Sequence, residues 1–189
     1  MAAKSIFNSE LTKAGIVHDW TLINDPNLCI HNPKEFYKQK TFASFRCSSC
    51  RKSWQTDMCH IYFSVTLNKI WGQGTVLMRK FRQECSKCSS STLEDPVISA
   101  ENMSRVFGNL VNYIQRKFYN KGNEVRELKP HSYYRRDGPH DRQHCEACKH
   151  GLCNETDGGQ EQDNTGTAVI ASLGMALLAG GLTFLFAKN

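Results

Sequence analysis

Three Cys-x-x-Cys pairs, Cys47/Cys50, Cys85/Cys88 and Cys145/Cys148, are the residues of this chain best suited to chemistry. Two thiolates separated by two residues can both turn toward one ion. A tetrahedral zinc site then needs two such knuckles, or one knuckle with other donors. The stretch 51–84 between the first two pairs is longer than a minimal ribbon spacer, and one β-hairpin accounts for it. Such a hairpin brings Cys47, Cys50, Cys85 and Cys88 into one four-cysteine site. Four thiolates on a dication leave a charge of about −2, which the flanking Arg46, Arg51, Lys52, Arg82 and Lys87 can offset.

The third cluster holds Cys145, Cys148 and Cys153, with His140, His144 and His150 close by. Three thiolates and one imidazole complete a second zinc site, and His140 is the favoured fourth donor. Two structural ions are therefore expected. A loop of unliganded thiols, or all three pairs sharing one ion, are the alternatives. Cys59 reads as a buried apolar filler, and Cys29 with His31 lacks a knuckle. Closed four-donor sites leave no position for a substrate water, so the expected role of the metal is to shape the fold. No Ser/His/Asp order, phosphate-cradling glycine loop or metalloprotease helix is present, and an enzyme is not expected. A thiol oxidoreductase would need a metal-free pair with a perturbed thiol pKa.

The elements that must position these thiols follow from periodicity. Ile61, Phe63, Val65 and Leu67 alternate with Tyr62, Ser64 and Thr66, as in a half-buried strand. Trp71-Gly-Gln-Gly supplies a turn and Thr75 to Gln83 a returning strand. Met103, Val106, Phe107, Leu110, Ile114 and Phe118 recur at three and four, an apolar helical stripe beginning after Pro96 and Ser99. Asn32-Pro33 reads as a helix start, with Phe36, Tyr37, Phe42 and Phe45 carrying that helix to the first knuckle. Residues 1–31 read as irregular. The expected fold class is α+β: a small zinc-ribbon-like domain, a β-hairpin between cysteine knuckles, packed helices and a C-terminal transmembrane helix.

Thr167 to Phe186 carry no charge, and as a helix they would cover roughly 30 Å, a bilayer core. A buried core helix and a removable lipid-anchor signal are the competing readings. The N-terminus has no continuous apolar leader. The expected layout is therefore a cytosolic zinc-binding domain over 1–154, a disordered polar linker over 155–166 and a tail anchor over 167–187. A cytosolic body keeps its nine cysteines reduced, which favours metal over disulfides. Ser172, Ala176 and Gly180 fall four apart, a spacing that lets membrane helices self-associate. The formal net charge of +6 suits anionic lipid, acidic protein or nucleic acid without choosing among them.

Phe45-Arg-Cys47-Ser-Ser-Cys50 with Trp54, Val76 to Cys88, Gly138-Pro-His-Asp, and Cys145-Glu-Ala-Cys148 with Cys153 together resemble the receptor-transporting proteins. The resemblance runs from about residue 16 to residue 153. It implies a three-CxxC zinc-finger domain with metal roles at the seven cysteines and at His140. It also implies a non-enzymatic accessory role: helping odorant, taste or other seven-helix receptors leave the endoplasmic reticulum for the cell membrane. Some relatives are linked to innate antiviral defence with RNA binding, the alternative reading here. Tyr133, Tyr134, Arg135 and Arg136 would serve it by stacking and phosphate contacts.

Overall fold

The computed structural model describes residues 2–88, 91–121, 128 and 140–153. The chain divides into two compact units, Met1–Asp157 and Gly158–Asn189, and every described residue belongs to the first. The expected linker, the apolar span 167–187, the small-residue face Ser172/Ala176/Gly180 and the Tyr133–Arg136 cluster lie outside the described residues. Among the described residues no helix is long and apolar enough to cross a membrane.

The architecture is α+β. Helix α1 (Ala2–Lys13) leads to strand β1 (Asp19–Asn24), followed by a 3-10 turn (Pro33–Glu35) and β2 (Tyr37–Arg46). Strands β3 (Ser53–Asn68) and β4 (Gln73–Lys80) form the long hairpin, and the short β5 (Gln83–Glu84) and β6 (Leu93–Glu94) follow. Helix α2 (Ala100–Tyr119) and the short α3 (Glu146–Lys149) complete the domain. The main sheet has the order β1-β4-β3-β2, with β1 parallel to β4 and the other pairs antiparallel. β5 and β6 form a small second sheet.

The alternation read in β3 is present, and it serves two cores. Ile61, Phe63 and Val65 face α1 and α2, where Phe7, Val106, Phe107, Leu110 and Ile114 are fully enclosed. On the opposite face, Met58 and Tyr62 pack with Phe81, Ala147, Cys145 and Cys153. Tyr62 was expected on an open face; the third cysteine cluster covers it, and its hydroxyl donates to the Leu152 carbonyl at 3.1 Å. Helix α2 follows its apolar stripe. Ser99 caps it by accepting from the Asn102 backbone N–H at 3.2 Å, and Asn120 closes it in the left-handed conformation.

Two segments depart from the expectation. The Asn32-Pro33 start is real, since Asn32 accepts from the Lys34 N–H, yet it yields one 3-10 turn and the backbone is extended again at Phe36. Tyr37–Arg46 is then a strand, whose inward residues are Gln39, Thr41, Ala43 and Phe45. Three of those four are polar or small, so hydrophobicity hid the period of two, and pairing with β3 decided the conformation. Residues 1–31, expected to be irregular, contain α1 and β1. Each carries only two buried residues, Phe7 and Leu11 in α1 and Trp20 and Leu22 in β1, too few to mark a pattern. β1 docks where Trp20 covers Gly74: a Cβ added there would lie 2.2 Å from the indole, so glycine is what allows the close approach.

Candidate metal centre

The first knuckle is a tight turn at the end of β2. The Cys47 N–H donates to Lys52 O at 2.8 Å and the Arg51 N–H to Cys47 O at 3.1 Å. The Cys50 N–H points at the Cys47 sulfur at 3.4 Å. Arg51 takes φ 62°, a left-handed conformation costly for a residue with a Cβ. The second knuckle follows β5 directly. Glu94 on β6 accepts from the Ser48 N–H and hydroxyl at 2.6 and 2.7 Å, tying the small sheet to the first knuckle.

These turns gather Cys47, Cys50, Cys85 and Cys88 so that all four sulfurs lie within 4.8 Å of one another. Cys47 and Cys88 sulfurs are 3.6 Å apart, and those of Cys50 and Cys85 3.7 Å. Tetrahedral Zn–S bonds of about 2.3 Å require sulfur separations of about 3.8 Å. The donor set therefore fits zinc in both type and spacing. The Cys50 backbone N–H, ahead of other bonds, pulls the Cys47 thiol down to about 7. Side-chain hydrogen bonds with Cys50 and then Cys47 push the Cys88 thiol up to about 12. A dication bound there would hold all four as thiolates.

The third cluster is docked against the strand that leads into the second knuckle. Cys145 bridges Gln83, the Glu84 N–H donates to His144 O at 2.8 Å, and the Glu146 N–H donates to Arg82 O at 3.1 Å. Buried Glu146 accepts from Arg79 Nη2 and Arg82 Nη2, each at 3.0 Å, and from the Arg82 N–H at 2.7 Å. Burial pushes this carboxyl up, but the bonds from Arg82 and Arg79 outweigh it and hold it below the usual carboxylate range. Arg82 was expected to offset the first cluster's charge; Glu146 engages it instead.

Within the third cluster, His140, Cys148 and Cys153 place one donor atom each within 4.8 Å of one another. His140 Nε2 lies 3.2 Å from Cys148 Sγ and 3.5 Å from Cys153 Sγ. One sulfur and one imidazole nitrogen on a tetrahedral zinc stand about 3.6 Å apart. Cys145 is buried beside Cys148 but outside that mutual set, and burial pushes its thiol up to about 11. The other nearby histidines are engaged elsewhere: His144 with Asp141 at 2.7 Å, His150 beside Arg79 at 3.4 Å.

Sequence reasoning passed over His60. It stands on β3, 5% exposed, with Nε2 3.2 Å from the Cys153 sulfur. Burial, then Lys40 and His140, hold it down to about 4, so the ring is neutral at physiological pH. A neutral imidazole beside a thiolate can donate an N–H bond to it, which orients the sulfur and tempers its charge. Only a histidine at a strand position facing the third cluster could have hinted at this. Cys59, its neighbour, is buried and pushed up to about 12 by that burial, an inert thiol. Cys29 and His31 are 3.8 Å apart and exposed, and no third donor joins them among the described residues.

Residues 40–151 match a family model, the zinc-ribbon 3CxxC, described as a zinc-binding domain. This chain belongs to the three-CxxC zinc-binding family. Its curated relatives are receptor-transporting proteins. It is 35% identical over 161 residues to "Receptor-transporting protein 3" of Mus musculus, covering 83% of this chain and 34% of that protein. It is 38% identical over 145 residues to "Receptor-transporting protein 4" of Homo sapiens, covering 72% and 57%. "Receptor-transporting protein 1" of Homo sapiens is 30% identical over 155 residues, covering 79% and 58%. The chain thus spans between about a third and six tenths of the length of these relatives. No solved structure matches it.

Proposed function

We propose that this chain is a membrane-anchored, zinc-stabilised accessory protein that promotes transport of seven-helix receptors to the cell surface. The observation that carries the reading is its similarity, over most of its length, to proteins named for receptor transport. The described residues suit a binding role. Cys47, Cys50, Cys85 and Cys88 supply four donors of the type that a structural zinc takes. In this reading two zinc ions are held, one by Cys47, Cys50, Cys85 and Cys88, the other by Cys148, Cys153, His140 and Cys145. The chemistry zinc supplies is structural: it crosslinks turns that have little apolar surface of their own.

The uncharged run 167–186 would hold the body at a cytosolic membrane face, in the endoplasmic reticulum and the cell membrane. Sharing a bilayer with a client raises the local concentration of the zinc domain, so a weak contact suffices. The test is co-expression of tagged odorant, taste and other seven-helix receptors with the full chain or with a chain lacking 167–189. Surface receptor measured by flow cytometry should rise with the full chain and fall back without the apolar run. No increase for any receptor, with the protein expressed and zinc-loaded, refutes the proposal.

A further inference from the structure

The turn joining β3 and β4 presents apolar side chains to water. Ile70 is 89% exposed and Trp71 75%. Floppiness does not account for the exposure. Asn68 accepts from the Ile70 and Trp71 backbone N–H groups at 3.1 and 3.2 Å, and Gly72 closes the turn at φ 63°. The side chains are held outward by a built loop. A second apolar residue joins them at this end of the sheet: the Asp19 N–H donates to Gly72 O at 3.1 Å, which brings Val17, 88% exposed, beside the turn. The other two indoles are occupied. Trp20 donates to the Tyr119 hydroxyl at 3.2 Å, and Trp54 donates to Gln83 at 2.8 Å while stacked on Phe45.

The charges at the same end are mostly positive. Lys69 adjoins Ile70 in the turn and is exposed. The C-terminal end of α2 is fastened here by Tyr119, whose hydroxyl lies 2.7 Å from His18, and by Gln115, which donates to Ala14 O at 3.1 Å. Arg116, Lys117 and Lys121 are exposed along that end, against exposed Asp19. Exposed tryptophan and isoleucine beside Lys69, with further cations at the same end of the domain, are the composition that partitions into an anionic lipid interface: apolar groups enter the headgroup boundary while cations meet phosphate.

We infer that the β3–β4 tip, Ile70 and Trp71 with Val17, seats in the headgroup layer of an anionic bilayer and orients the domain with its cysteine clusters pointing away from it. The inference rests on the membrane placement proposed above, and the chain length allows it. Leu152 is bonded to Tyr62, and Tyr62 to Asn68 is six strand steps, roughly 20 Å. Residues 154–166, at most about 3.5 Å each, reach about 45 Å, enough for the run from 167 to enter the same bilayer that the tip touches. β3 itself, from Ser53 beside the first knuckle to Asn68, is roughly 50 Å long. The first cluster therefore stands at the far pole, open to a cytosolic partner.

The test uses the full, zinc-loaded chain in vesicles of phosphatidylcholine, or of phosphatidylcholine with about one-fifth phosphatidylserine, each carrying brominated lipid. In the anionic vesicles Trp71 emission shifts to the blue and is quenched by bromine. Trp71→Phe removes that component, and Lys69→Gln lowers the seated fraction about fivefold. Ile70→Asn lowers it too, with an unchanged thermal transition showing that the fold is intact. Two results overturn the proposal: Trp71 open to a water-soluble quencher while the chain is vesicle-bound, or shielding without lipid that grows with protein concentration, which assigns the tip to a second copy. Flotation in high salt reports the apolar run separately. A chain that floats without Trp71 quenching refutes the tip alone. One that is quenched on anionic vesicles but released by salt keeps the tip and refutes the anchor.

Discussion

Removing the carboxylate of Glu146 should loosen the third cluster while sparing the first. The side chain is 5% exposed and receives both Arg79 and Arg82. Arg79, 10% exposed, also donates to Leu28 O at 2.8 Å and lies over the Phe81 ring at 4.6 Å, while its Nε has no partner among the described residues. Glu146→Ala leaves a buried guanidinium with one carbonyl, one ring face and the His150 imidazole but no counter-charge, and breaking a buried pair from one side costs about 3–5 kcal/mol. For a domain of this size each kcal/mol moves the melting temperature by roughly 2–4 °C, so a fall of about 10 °C is expected. Glu146→Gln keeps the shape and loses the charge, so its fall should be smaller. Because Glu146 lies between Cys145 and Cys148, the third cluster should also lose metal first. Differential scanning calorimetry and native mass spectrometry of the zinc-loaded chain read both effects. Adding Arg79→Leu to Glu146→Ala should cost less than the two changes summed, since the more deeply buried guanidinium leaves together with its carboxylate and only the more exposed Arg82 is left unpaired. A melting shift under about 3 °C for Glu146→Ala, or equal metal loss from both clusters, would refute this account.

Other outcomes follow from the same geometry. Replacing Cys85 and Cys88 by serine removes half of a donor set whose metal binding contributes on the order of 10–16 kcal/mol in small zinc domains. That exceeds or matches the whole stability of a typical domain, so circular dichroism should show a chain without cooperative unfolding. His60 takes its proton near 6.5 when unfolded and near 4 when folded, so its neutral burial is complete above pH 6.5. Stability is lost as pH falls toward 4, by roughly 3 kcal/mol. The gap between wild-type and His60→Phe urea midpoints, followed from pH 7 to pH 4.5, should close with that slope; a constant gap contradicts it. Gly74→Ala forces a methyl against the Trp20 ring and should destabilise by about 1–3 kcal/mol in urea titration. Unchanged stability would mean that β1 is not held as described.

Sequence alone determined what depends on near neighbours. Two cysteines separated by two residues can turn toward a common point within one tight turn, as Cys47 and Cys50 do, and α2 declares itself because a 3.6-residue period and the Ser99 cap are local properties. The hairpin between the first two knuckles was legible for the same reason. Tertiary structure decided what joins residues far apart in the chain. Whether Tyr37–Arg46 coils or extends depended on β3 as its partner, since its inward residues are too polar to show a stripe. That Arg82 serves Glu146 rather than a thiolate, and that His60 faces Cys153, required the third cluster to fold back across β3 and β4. Such contacts are selected by burial: a charge or imidazole enclosed by packing must find a partner at whatever sequence distance one is offered. No spacing rule along the chain can see that requirement, because it arises only once the interior exists.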